Sequence, residues 1–345
     1  MKKKITLPAG ILIAILLSFT SCQETMVGYE NDNSNKNNFK QMWEKFDSHY
    51  GLFLVKNIDW DKVYASHLPM AKAAKTDAEL FAVLSSAVHT LDDKHINIYT
   101  NSPQLTDYNS GENGHIPAQE GFDFKVVRDN YLTEYHEETE DFGYGKLTAE
   151  IGYIHVDAFK DKSSVFEKAM DKAINALSAT KGIVFDIRDH TGGSDQVSKY
   201  IAGRFASSKK LFMTSKKRNG PRHDQFEAAN NWYIEPSGKT QYTKPVILLT
   251  TSTTISAGET FTFAMRENEN VTHMGTKTAG AFTDVIAHQL PNGWIVSIGV
   301  GDYRGSDGKS YEGIGITPKI ISTNQKADVL RGVDKTLESA REMLK

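Results

Sequence analysis

A chain of 345 residues, 39% of them hydrophobic, is long enough for one large domain or two ordinary ones and carries the material for a real core. Its formal net charge of −3 is small and unclustered, which argues against a nucleic-acid groove or a polybasic membrane surface. The single cysteine, Cys22, excludes an internal disulfide framework and a cysteine-based metal site, and no cofactor or metal is expected.

At the N-terminus Lys2, Lys3 and Lys4 precede an apolar run from Ile5 to Phe19 and then the small residues Thr20 and Ser21. That is the layout of a secretory signal peptide, residues 1–21, too short to span a membrane and without a stop-transfer pattern, so its removal is expected. Leu17-Ser18-Phe19-Thr20-Ser21-Cys22 resembles the lipobox of bacterial lipoproteins, with Phe19 a loose match. The resemblance implies a lipidated Cys22 and an exported protein held on the periplasmic or outer face of a bacterial membrane without spanning it. The polar, Asn-rich residues that follow, 22–38, are expected to be a disordered tether.

Residues 39–95 read as a small helical bundle. Phe39, Met42, Trp43 and Phe46 repeat at three and four, as do Leu80, Phe81, Leu84 and Val88, and Thr76 or Asp77 offers a helix cap. The bundle ends at Leu91-Asp92-Asp93-Lys94-His95, where a histidine stands at the transition into the strand-like Ile96–Tyr99. The remainder, 96–345, alternates strand and helix, which argues for an α/β core. Residues 101–121 read as loop, 121–135 as a strand or hairpin, and 151–156 as a strand. Ser163 to Leu177 has the period of an amphipathic helix.

Lys181 to Ile187 is a buried strand that runs into Arg188-Asp189-His190-Thr191-Gly192-Gly193-Ser194 and a helix from about Asp195 to Phe205. Two glycines at a strand-to-helix turn either satisfy a tight turn or let the backbone N–H groups approach an anion. Residues 207–244 are polar, and their basic run Lys216-Lys217-Arg218 reads as a solvated loop.

Pro245 to Phe261 repeats the pattern: a β-branched apolar strand, then Ser256-Ala257-Gly258-Glu259 opening a helix. Ser256 and Glu259 have the spacing of a capping box, but the same place offers a serine oxygen beside unpaired helix N–H groups. A strand is expected at 271–274, a hairpin turning at Asn292-Gly293 between 285–290 and 294–300, a Gly-rich turn at 311–318 that contains Glu312, and a closing helix over 328–344.

Leu91–His95, Asp186–Gly193, Thr253–Glu259 and Glu312–Pro318 stand in an order that resembles the carboxyl-terminal-processing, or tail-specific, serine peptidases. The likeness is greatest to their tricorn-like branch, whose core has a ClpP/crotonase-type fold. The resemblance implies Ser256 as nucleophile, His95 as general base and Glu312 as the supporting acid. It implies an oxyanion site made by the N–H of Ala257 with that of Gly192 or Gly193. It also implies a peptide or protein substrate. Three departures stand out. Ala281 occupies the place of the lysine used by Ser/Lys members, His190 replaces an asparagine of the glycine motif, and there is too little chain between the helical region and the core for the family's PDZ insert.

A neutral imidazole is suited to take the proton of a serine hydroxyl, so the expected reaction is peptide hydrolysis through an acyl-enzyme. The same scaffold also allows a catalytically silent binder of peptides or apolar ligands, as in the related retinoid-binding protein of photoreceptors. An acyl hydrolase acting on esters or lipids would share the site.

Overall fold

A computed structural model of the chain describes residues 32–109, 121–160 and 162–345. Cys22, the expected signal peptide and most of the expected tether lie outside these. Among the described residues no helix is long and apolar enough to cross a membrane.

The described residues open with four helices: α1 (Asn35–His49), α2 (Phe53–Lys56), α3 (Trp60–Ala73) and α4 (Asp77–His89). Ser34, Asp59 and Thr76 cap α1, α3 and α4 with their side chains, and Thr76 forms a reciprocal capping box with Glu79. The faces read from the sequence turn inward, and Phe39, Met42, Phe46, Trp60, Leu84 and Val88 are buried together. They also pack on Ile98, Trp294, Val296 and Ile298, so the bundle rests against a sheet built from distant parts of the chain.

That sheet has the order β11-β12-β1-β2 and is antiparallel, with β1 (Asn97–Tyr99), β2 (Tyr108–Asn109), β11 (Val285–Gln289) and β12 (Ile295–Gly299). The expected Asn292-Gly293 turn joins β11 to β12, with Gly293 at φ 86°.

The main sheet has seven strands in the order β14-β10-β9-β6-β5-β4-β3. Its members are β3 (Glu134–Thr139), β4 (Phe142–Thr148), β5 (Ile151–Val156), β6 (Gly182–Asp186), β9 (Val246–Thr250), β10 (Val271–Gly275) and β14 (Ile320–Ile321). Strands β5, β6, β9, β10 and β14 run parallel, and β3 and β4 add an antiparallel edge. The central strands β5, β6 and β9 are buried along their whole length, as strands covered on both faces must be. Helices α6 (Ser163–Leu177), α7 (Asp195–Gly203) and α8 (Ala257–Arg266) are the crossovers. On α6, Phe166, Met170, Ile174 and Leu177 are fully buried, each worth about 1.5–3 kcal/mol of apolar burial. The expected α/β class, strand–helix core and N-terminal helical region are thus all present.

Four expectations need correction. The expected tether does not reach residue 38, because Ser34 caps α1 from Asn35 and the side chains of Asn37 and Asn38 are buried. Residues 121–135 are not a hairpin: Asp123 caps a short helix, α5 (Phe124–Asn130), and strand begins only at Glu134. The basic run Lys216-Lys217-Arg218 is not a solvated loop: its lysines end β7 (Lys210–Lys217), which with β8 (Asn230–Ile234) joins β13 (Gly301–Gly305) in a third sheet of order β13-β7-β8. Within it Lys216 pairs with Asp302, Lys217 with Asp284, and Arg218 donates to the carbonyls of Tyr50 and Asp47. The closing helix is two, α9 (Lys326–Leu330) and α10 (Lys335–Met343), separated at Gly332, where φ is 79°.

Candidate active site

Three loops at the carboxyl ends of the adjacent parallel strands β6, β9 and β10 make one side of the site, the edge where open α/β sheets place their ligands. Threonines stitch the first two loops together. Thr254 Oγ1 donates to the Ile187 carbonyl at 2.8 Å and Thr253 Oγ1 to the Arg188 carbonyl at 2.6 Å, while the Ile255 N–H reaches the His190 carbonyl at 3.0 Å.

The turn after β9 delivers Ser256 at φ 57° and ψ −121°, a region that costs a non-glycine residue about 1–3 kcal/mol. Two contacts hold it there. Its N–H donates to the Ala281 carbonyl at 3.1 Å, and Glu259 Oε2 accepts from the same N–H at 3.3 Å, completing the capping-box arrangement with Ser256. Structural and chemical readings of Ser256-x-x-Glu259 therefore coexist.

Glu259 also takes the Thr278 hydroxyl at 2.6 Å and the N–H groups of Gly280 and Ala281 at 2.7 and 2.8 Å. One carboxyl thus ties the loop after β10 to the serine turn. Burial pushes it up to about 7, against these four donors, which favour the anion.

Gly192 and Gly193 lie beside this turn at φ 106° and 127°, conformations open to glycine. A Cβ on Gly192 would stand 3.0 Å from Ser256 Cβ and 3.4 Å from its Oγ. The two glycines differ in what their N–H groups do. Gly192 donates to His190 Nδ1 at 3.1 Å, whereas the Gly193 N–H has no acceptor among the described residues. The Ala257 N–H, in the first turn of α8, likewise has none.

His190, the departure from the family's asparagine, is fully buried against Phe159, with ring centroids 4.4 Å apart, and burial drives its pKa down to about 3. It is a neutral acceptor that fixes the glycine loop.

The second half of the site comes from further away. Asp93 Oδ1 accepts the His95 N–H at 2.9 Å, and the His95 carbonyl accepts from Ser297 Oγ at 2.7 Å, which fixes the backbone that carries the imidazole. Glu312 lies in the turn after β13, where the Gly313 N–H donates to the Gly280 carbonyl at 2.8 Å. One ligand-type atom each of Asp93, His95 and Glu312 lies within 4.8 Å of the others. His95 Nδ1, Asp93 Oδ2, Glu312 Oε1 and the Tyr50 hydroxyl are all buried without a hydrogen-bond partner.

Burial and the neighbouring Asp93 charge push the Glu312 carboxyl well above its usual range. Burial lowers the His95 pKa, and the charges of Asp93 and Asp284 oppose that shift. Donors around one zinc ion at 2.0–2.2 Å stand at most about 4.4 Å apart, so a group spread up to 4.8 Å is loose for that ion.

The structure therefore brings Ser256, Ala257, Gly192 and Gly193 together, and separately His95 with Glu312. Adjacent backbone groups link the halves: the Ala281 carbonyl accepts from Ser256, and the next N–H, of Phe282, donates to Glu312 Oε2 at 2.9 Å. Among the described residues no hydrogen bond joins His95 to Ser256, and catalytic hydrogen bonds often tighten only when substrate binds. Asp93 was visible inside the Leu91–His95 stretch but carried no assigned role. Tyr50, 43 positions upstream of Asp93, left no signal in spacing.

Comparison with known proteins follows the same division of the chain. The profile of peptidase family S41 matches residues 150–322, and that of the tricorn protease C1 domain matches residues 32–88. The carboxy-terminal processing protease CtpA of Bacillus subtilis is 26% identical over 172 residues, covering 49% of this chain and 34% of that protein. The carboxy-terminal-processing protease of Bartonella bacilliformis is 26% identical over 196 residues, covering 56% of this chain and 43% of that one. The matches thus span less than half the length of these curated relatives. A crystal structure of a candidate peptidase from Parabacteroides merdae superposes with a TM-score of 0.81 at 30% identity, over 91% of this chain and 97% of that one. Tricorn protease shares the fold, with a TM-score of 0.58 at 14% identity over 90% of this chain and 36% of that one.

Proposed function

The chain belongs to peptidase family S41, and we propose that it is an exported, lipid-anchored serine peptidase that cleaves peptide bonds through an acyl-enzyme on Ser256. The observation that carries this reading is the pairing of a serine at φ 57° with two nearby N–H groups, of Gly193 and Ala257, that have no acceptor among the described residues. A serine hydroxyl scarcely ionises near neutral pH and needs a base. His95, kept neutral by burial, takes the Ser256 proton as Oγ attacks the carbonyl carbon. The developing oxyanion is held by the two N–H groups, each worth roughly 3 kcal/mol in comparable sites. His95 then gives the proton to the leaving amine, and water repeats the sequence on the ester. Glu312, with Asp93, stands close to the imidazole and supports its changing charge.

Of the two glycines left open by the sequence, Gly193 is the partner of Ala257 in this reading, because the Gly192 N–H is already engaged by His190. The lipid anchor rests on the sequence around Cys22, and palmitate incorporation that is lost in Cys22→Ser tests it separately. For the activity, wild type, Ser256→Ala and His95→Ala are compared on an unfolded protein such as casein and on an ester substrate. Turnover of the protein by wild type alone supports the peptidase. Cleavage of the ester without the protein indicates another acyl hydrolase, and the absence of turnover in all three indicates a binding protein on this scaffold.

A further inference from the structure

A cavity of about 670 Å³ opens directly beside Gly193, between the start of α7 and the three-stranded sheet. Trp232 and Tyr303 form aromatic walls, and Asp195, Lys217 and Asp284 bring charge to it. Glu227 stands at the same lining, so three carboxylates face one ammonium. The ammonium is engaged: Lys217 pairs with Asp284 at 2.5 Å. Asp195 has no cationic partner among the described residues, although burial pushes its carboxyl up to about 6. Behind it the fully buried Thr260 hydroxyl, which has no other partner among the described residues, points its donor toward Asp195 and opposes that shift. A half-buried carboxylate at the edge of an open cavity, with a single hydroxyl behind it and no ion pair, has room for a cation on its cavity side.

We propose that this cavity is the subsite for the residue whose carbonyl is attacked, and that Asp195 selects a lysine or arginine side chain there. The inference rests on the peptidase reading of Ser256 and deepens it. If the Gly193 N–H holds the carbonyl oxygen, the Cα bonded to that carbonyl carbon sits next to Gly193, at the cavity mouth. Its side chain then runs between Trp232 and Tyr303, which suit the methylene stem of a long cation, and its ammonium or guanidinium supplies what Asp195 lacks. A glutamate in the same position meets the excess of negative charge and is rejected.

The test uses three peptidyl diphenyl phosphonates that differ only in the side chain on the phosphonate-bearing carbon: lysine, norleucine and glutamate. Norleucine keeps the stem and drops the charge, so the lysine-to-norleucine ratio of labelling rates isolates the charged contact. Wild type is expected to react about tenfold faster with the lysine probe than with norleucine, as a charge-assisted hydrogen bond allows, and slowest with glutamate. In Asp195→Asn the ratio is expected to fall close to one. Equal or faster labelling by norleucine in wild type, or an unchanged ratio in Asp195→Asn, overturns the proposal and leaves the peptidase reading standing. Labelling by none of the probes, or labelling that persists in Ser256→Ala, contradicts the Ser256 assignment itself and removes the subsite with it. The wild-type ratio decides the matter even if Asp195→Asn does not fold.

Discussion

The Gly192 N–H is bound to His190 Nδ1, 3.1 Å away, and this single contact separates the roles of two neighbouring glycines. Gly192 is structural, packed against Ser256, and Gly193 keeps the free donor. His190→Ala leaves a buried N–H without an acceptor and a void beneath Gly258, whose added Cβ would lie 2.6 Å from the His190 ring. A loss of about 2–4 kcal/mol is expected in urea unfolding. His190→Asn, whose side-chain carbonyl can accept the same N–H, is expected to recover part of it, and equal losses in both variants would contradict the assigned contact.

Glu259 accepts four donors from the turns on which Ser256 and Ala281 sit. In Glu259→Gln one acceptor oxygen becomes an NH₂ group facing N–H donors. The variant is expected to lose about 2–4 kcal/mol in chemical denaturation and to react more slowly at Ser256, since the turn loses its tether. Wild-type stability in Glu259→Gln would show that the carboxyl does not hold this turn.

How much of this was legible beforehand follows from the range of each interaction. Ser163–Leu177 forms its helix over the residues read from the sequence, because a 3.6-residue period is local. Asn292-Gly293 turns its hairpin for the same reason. The basic run Lys216-Lys217-Arg218 looked like a solvated loop because its lysines are satisfied by Asp302 and Asp284, partners far along the chain, and the strand that carries them is only half covered. Residues 124–130 alternate like a strand, yet Asp123 caps them into a helix. The meeting of His95 with Glu312 cannot be derived from spacing across more than two hundred residues. Only family resemblance suggested it, and that resemblance left undecided which glycine donates, a choice made by the His190 side chain.

The pH–rate profile should carry the mark of a buried imidazole. His95 is pushed below its usual 6.5 by burial, so the acid limb of kcat/KM for a peptide substrate is expected below that pH. Asp93 is the leading charge opposing the shift. Asp93→Asn, which can keep the acceptor for the His95 N–H, is expected to move the limb to lower pH still. A limb that stays in place would show that Asp93 does not act on this histidine.

Glu312 makes a prediction about stability. Its carboxyl is raised in the folded protein above its ordinary 4.5, so between those two values the folded state holds a proton that the unfolded chain releases. The stability it contributes is full below about pH 4.5 and is lost as pH rises towards the folded value, with a slope of up to about 1.4 kcal/mol per pH unit. Glu312→Gln, an isostere of the neutral acid, removes that part of the dependence. Denaturant unfolding at pH 5 and pH 8 should show a smaller difference in the variant than in wild type, and an equal difference would mean that Glu312 is ionised throughout.

The most direct measurement is intact-mass analysis of the protein after reaction with a simple fluorophosphonate, with the modified residue located by fragmentation. One adduct per chain, on Ser256, absent in Ser256→Ala and formed far more slowly in His95→Ala, is the predicted result. An adduct elsewhere, or none on Ser256 under conditions that label other serine hydrolases, would contradict the account.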